Sequence, residues 1–325
     1  MPEIYQWNLS IQNQLGTNMV FELAYVASHA KNLNFNVDIN QVPETLLSSN
    51  DTANQPYPQY QGITGSTNNA TSNYNSLQAS VTRRLSQGLS FNFNYVWSHF
   101  LDDYDSSGWG SHAGPQTYQN AHAPSASYGN SNFDVRNAFK GNILYELPFG
   151  HGKQFLNKNW LLDEVVGGWQ LSSTIQLTTG NPFTVSDGHS TYAQGGGAFP
   201  NVTGISTKPV GGRTWQEWFN PAAFSLAAPG TFGDERRNQL YGPGIELVNL
   251  SAGKKFTLHN QVKLQIRADA TNAFNRPSFG QPNVNLQTFN GQLPGQAFQY
   301  APGTYQISGT TVGGRNVQLG ARLEF

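Results

Sequence analysis

The stretch FGHGKQF, Phe149 to Phe155, sets two glycines, a histidine and a lysine close together, the residue types of a phosphate-cradling loop. Such a loop needs an earlier glycine at fixed spacing and a Ser or Thr directly after the Lys. Gln154 stands in that place, so a turn is expected. AQGGGAF, Ala193 to Phe199, has no strand-to-helix context and reads as a flexible loop rather than a dinucleotide fingerprint. HFLDDYD groups Asp102, Asp103 and Asp105, and oxygen-rich groups of this kind can hold Ca²⁺. No glycine punctuates the series, and a solvated acidic loop is the plainer expectation.

Seven histidines, at 29, 99, 112, 122, 151, 189 and 259, share no metal-binding spacing. With no cysteine there is neither thiol chemistry nor a disulfide framework. A nucleophile, a base and an orienting group never come together, so the expectation is a non-enzyme with no catalytic residue, cofactor or metal. Charged residues are only 11% of the chain and the net charge is −1, which excludes the basic footprint that nucleic acid requires.

Polarity here comes instead from Asn, Gln, Ser, Thr and Gly, and its arrangement is the informative feature. No apolar run reaches membrane-helix length, and the mean hydropathy of −0.48 would suit a soluble protein. Strands of a membrane barrel alternate between lipid and lumen, however, and also average low. Period-two alternation over about ten residues recurs in nine segments. YQWNLSIQNQL sends Tyr5, Trp7, Leu9 and Ile11 one way and Gln6, Asn8, Ser10 and Gln12 the other. MVFELAYVA, LQASVTRRL, LSFNFNYVW, FKGNILYEL, WQLSSTIQL, VNLSAGKKF and VKLQIRADA repeat the pattern, and RNVQLGARLEF closes it. The apolar faces carry two charges, Arg83 and Lys254, each near a strand end where a long side chain can snorkel. The polar faces carry ten: Glu22, Arg84, Lys140, Glu146, Lys255, Lys263, Arg267, Asp269, Arg322 and Glu324.

Connections alternate as well. Turns after Leu15, Leu85 and Phe256 are short, whereas the segments from about 30 to 72, 100 to 135, 180 to 244 and 273 to 314 are long and rich in Gly, Pro, Asn and Ser. Short periplasmic turns and long outside loops mark outer-membrane barrels. NWLLDEVVGGW would add a helical turn or an amphipathic foot on the short side, and a loop such as GTYQISGT could hide a further strand. Trp7, Tyr25, Tyr95 and Trp97 are expected at the outer membrane interface and Trp169 at the inner one. Trp109, Trp215 and Trp218, in the loops, would contact a ligand, with loop packing as the plainer account; Tyr118 and Phe219 face the same choice. Toward the lumen, Lys263, Arg267 and Asp269 run antiparallel to Arg322 and Glu324, and approximate register pairs Lys263 with Glu324.

YNSLQASVTRRLSQGLSFNFNYVWSH, NFDVRNAFKGNILYELPFGHGK, GGWQLSSTIQLTTGNPFTV, FNPAAF and LQIRADATNAFNRPSFGQPN, with the opening strand pair, resemble in order the C-terminal half of the Oar-like β-barrel of TonB-dependent outer-membrane receptors, the type abundant in acidobacteria. The resemblance implies an all-β antiparallel transmembrane barrel of about twenty-two strands, of which residues 1–325 would form the last nine. A plug, a TonB box, a regulatory-like β-domain and a signal peptide would then lie upstream. It further implies that Leu319, Ala321, Leu323 and Phe325 form the terminal signal read by the barrel-assembly machinery, and that the TonB complex acts through the upstream segments. The expected location is the bacterial outer membrane, with its lipid as partner. The expected function is energised uptake of a nutrient of unknown identity. A passive structural or adhesive surface barrel is the alternative, followed by a soluble secreted carbohydrate-binding β-sandwich.

Overall fold

The computed structural model describes residues 1–47, 51–60, 62–104, 118–150, 153–155, 165–186, 199–228, 230–259, 262–286 and 303–325. Among these, nine long strands form one antiparallel sheet: β1 (Glu3–Leu15), β2 (Met19–Asp38), β3 (Thr64–Ser86), β4 (Leu89–Asp102), β5 (Asn137–Glu146), β6 (Trp169–Thr178), β7 (Ile245–His259), β8 (Val262–Thr271) and β9 (Asn316–Glu324). Order in the sheet follows order in the chain, and the two-residue strand Gly129–Asn130 adds to the end of β4. The sheet is open, with β1 and β9 as its edges.

Register carries one apolar face across all nine strands. Residues directly opposite each other in an antiparallel pair point to the same side. From β1 the row runs Leu9, Tyr25, Leu77 and Trp97. Further along, Tyr145 meets Leu171, Leu171 meets Ala252, Ala252 meets Ala268 and Ala268 meets Leu319. A slip of one residue would turn a whole strand inside out, so this agreement fixes the pairing. The other face stays polar: Asn92 Nδ2 donates to Thr82 Oγ1 at 2.7 Å, and Asn249 Nδ2 to Thr174 Oγ1 at 3.0 Å. One sheet with one apolar face is not two packed sheets, which removes the sandwich alternative.

The tight turn between β3 and β4 has Gln87 and Gly88 both at positive φ, 51° and 80°. That geometry matches strand twist in a two-residue hairpin. A side chain at Gly88 would also meet the Glu146 carbonyl oxygen at 2.8 Å.

Several strands outrun the alternation. β2 and β3 have 20 and 23 residues, against the ten or so that cross a bilayer. The loop expected from 30 to 72 therefore begins only after Asp38. Register shifts between Ala30, Leu33 and Phe35 allow this, with Asn32 at φ 57°. A bulge breaks period two while pairing continues, so alternation is lost but the strand is not. Extension of β1, β2 and β7 also brings Glu3, Lys31 and Glu246 onto the apolar face, all at the long-loop end. Arg83 bends to the turn and donates to the Ser86 carbonyl at 3.3 Å. Lys254 does not snorkel: β7 continues to His259, and Lys254 is buried with its ammonium 4.6 Å from the Phe256 ring centroid.

The long loops fold on the sheet. Phe183, Val185, Phe219, Phe224, Leu226 and Leu240 of the 179–244 connection form a core with Leu286 of the 272–315 connection. A smaller core joins Phe35, Val37 and Ala70 to Tyr118. GTYQISGT adds no strand to the sheet; Ile307 N donates to Trp215 O at 2.8 Å and Tyr305 O accepts from Trp218 N at 3.0 Å, tying two loops together.

Candidate functional site

Two surfaces could act on a solute: the polar sheet face and the folded loops. On the polar face, near the short-turn end, a cavity of about 610 Å³ is lined by Glu146, Lys153, Gln170, Lys255, Gln265 and Arg267. Lys153 pairs with Glu146 at 2.8 Å. In FGHGKQF, Gly150 N donates to Phe155 O at 2.9 Å and Phe155 N to Pro148 O at 3.0 Å, so the described part of this segment is a turn whose lysine faces a carboxylate.

Lys263 lies directly opposite Glu324 in register, as expected, but Glu324 is reached by Lys255 Nζ, from β7, at 3.3 Å. Arg322 lies 3.9 Å from the same carboxylate, and Arg267 Nε donates to Asp269 at 2.7 Å. A long lysine on the second strand over reaches the acid diagonally. Amides, hydroxyls and charges of both signs line this face; of the ten charged residues that alternation assigns to it, six are basic and four acidic, and Glu146, Asp269 and Glu324 sit in the ion pairs.

The loop cap is joined by buried polar contacts. Arg237 is 3% exposed and ion-paired with Asp102, and it donates to the Asp102 and Ser127 carbonyls at 2.7 and 3.2 Å. Asp103 is also buried and accepts from Thr71 N at 2.8 Å. The expected solvated acidic loop is thus overturned for both residues: their charges hold strand ends, and burial pushes the Asp103 carboxyl up from its usual range. Asp105 lies outside the described residues. Gln119 gathers the Gly233 and Phe199 amides on its Oε1, while Gln41 Nε2 donates to its carbonyl at 2.6 Å. Glu235 is 3% exposed, with Oε1 accepting from Val185 N at 3.4 Å and Oε2 meeting no partner among the described residues. Removal from water pushes its carboxyl up to about 9, so it is uncharged at neutral pH.

A family model for an outer membrane beta barrel domain matches residues 1–318. The chain belongs to that family. This outer-membrane β-barrel domain therefore resides in the bacterial outer membrane, with its apolar face toward lipid. The solved outer membrane transporter YddB of Escherichia coli is similar at 12% identity and a TM-score of 0.42, with 98% of this chain and 32% of that one covered. The domain thus spans about a third of that protein's length. No curated protein matches.

On the lipid-facing side of the barrel wall, Trp7, Tyr25, Tyr95 and Trp97 are part-exposed near the long-loop end. Tyr25 and Tyr95 donate to Asn75 and Asn137 Oδ1, both at 2.7 Å, on the neighbouring strand. Trp169 starts β6 at the short-turn end, and its Nε1 donates at 3.0 Å to Val165 O, in the expected helical turn. Leu319, Ala321, Leu323 and Phe325 lie along the exposed edge strand and its terminus.

Among loop aromatics, Phe219 and Tyr118 are fully buried and pack the cap. Trp218 packs against the larger core and donates to Tyr241 O at 2.9 Å, whereas Trp215 is 51% exposed. Trp109 lies outside the described residues. Sequence reasoning missed Arg136, Arg213 and Arg276, which share one cavity from three loops. Scattered arginines carry no local signal of convergence.

Proposed function

We propose that the domain is the C-terminal part of a TonB-dependent receptor barrel, contributing wall, lumen surface and outside loops to energised uptake of a nutrient. The supporting observation is the joined loop cap: Arg237, Asn238 and Gln119 tie described segments of the long loops to one another and to the end of β4, over a sheet with a polar face. A joined loop cap over a polar wall suits selection of a solute. The polar lumen face also suits a plug, whose surface would need polar partners. The exposed Trp215 offers a ring for stacking on a ligand. The terminal strand supplies the pattern for assembly, and the aromatic rows suit both interfaces.

The full-length protein tests this. Cells with and without its gene would be compared for nutrient depletion, in backgrounds with and without a functional TonB complex. Depletion that needs both supports the reading. Depletion that needs the gene but not TonB replaces it with a passive barrel, and none at all with a structural or adhesive one.

A further inference from the structure

We propose that the lipid-facing wall binds a phosphorylated, acylated lipid of the outer leaflet, with the phosphate held by Arg213 and Arg276. The inference rests on outer-membrane membership and stands apart from the transport reading.

The cavity that gathers the three arginines has a volume of about 810 Å³ and is also walled by Trp218, Tyr241 and Phe279. Arg136 is compensated: it lies 3.1 Å from the buried Asp134 carboxylate and donates to Tyr241 Oη at 2.8 Å. Arg213 sits over the Trp218 ring at 5.6 Å, and among the described residues neither it nor Arg276 forms an ion pair with a carboxylate. Two guanidiniums free of ion-pair contact among the described residues, with Glu246 the one carboxylate among the lining residues, beside an aromatic floor match a ligand with an anionic head and an apolar body. Guanidinium geometry favours phosphate.

Location selects the class. Glu246, Thr179 and Asn137 on the cavity rim share the face of Leu177 and Phe139, the last apolar rungs before the loops. On a lipid-facing wall this is the level of outer-leaflet headgroups. A second observation lies below it on the same face. Ser173, Ala252, Ala268 and Ala270 leave an apolar groove of about 470 Å³ between Leu171 and Val317. From Thr178 to Ser173 along β6 is about 17 Å by strand rise, within reach of a fatty acyl chain. A soluble phosphorylated metabolite would fill the rim and leave the groove unused.

The test uses the full-length protein extracted from outer membranes in mild detergent and delipidated. Native mass spectrometry would follow titration with bisphosphorylated lipid A, dephosphorylated lipid A or inorganic phosphate. The proposal expects lipid A to bind about tenfold more tightly than its dephosphorylated form, and R213Q/R276Q to lose about tenfold. A252F, which fills the groove away from the guanidiniums, lowers lipid A retention, and E246Q, which removes the rim carboxylate, raises it. Equal retention of the dephosphorylated lipid overturns the proposal. So does an unchanged double variant, or E246Q without effect should the arginine variants fail to insert. Inorganic phosphate binding as tightly as lipid A, with A252F silent, assigns the site to a soluble anion and overturns the lipid source.

Discussion

Asp102 at the loop end of β4 forms a buried ion pair with Arg237, 135 positions away in the connection between β6 and β7. The pair joins a membrane strand to the loop cap, and the same guanidinium also holds the Ser127 carbonyl. Removing one partner of a buried pair leaves the other charge without compensation, at a cost of about 3–5 kcal/mol. Asp102→Ala should therefore open the 199–240 region to protease while heat-modifiable gel mobility, which reports the barrel wall, stays unchanged. Wild-type proteolysis kinetics would show the pair to be dispensable.

Glu235 makes cap stability depend on pH. Its folded carboxyl titrates at about 9, raised first by desolvation and further by Asp234, against 4.5 when unfolded. The folded state thus binds the extra proton between these values, and stability falls as pH rises from about 4.5 to about 9. The slope is about 1.4 kcal/mol per pH unit. Glu235→Gln keeps a neutral side chain and should flatten this dependence, leaving the cap more stable than wild type at pH 8. Protease protection measured at pH 5, 7 and 9 checks it; parallel curves for both proteins refute it.

The carboxylate of Glu324 separates register from contact. Lys263 is its direct neighbour in the ladder, yet Lys255 makes the ion pair. Both partners are substantially exposed, so coupling in a double-mutant cycle should be below about 1 kcal/mol and weaken with salt. Coupling should be smaller still for Lys263 with Glu324. A larger value there would mean that the lysines exchange roles in the membrane.

The face assignment can be tested on adjacent residues. Ile175 lies opposite Gly141 and Val248 on the apolar face, while Gln176, one residue on, lies opposite Lys140 and Leu247. Arginine at 175 should cost about 2–4 kcal/mol in refolding titrations into lipid vesicles, and at 176 close to nothing. Equal costs would contradict a lipid-facing Ile175.

Alternation alone determined the nine strands, their two faces and the short-turn and long-loop ends. These follow from period two, a local property that each strand states for itself. It stopped at Ala30, because the bulge around Asn32 breaks the period while hydrogen bonding runs on to Asp38. Composition misjudged Asp102 and Asp103, whose acidic run reads as solvated until Arg237 and the Thr71 amide arrive from distant segments. The convergence of Arg136, Arg213 and Arg276 on one cavity, and the neutral burial of Glu235, were decided only by the tertiary structure. Contacts between loops tens to more than a hundred residues apart depend on strand register and loop packing together, and neither leaves a periodic trace in the chain.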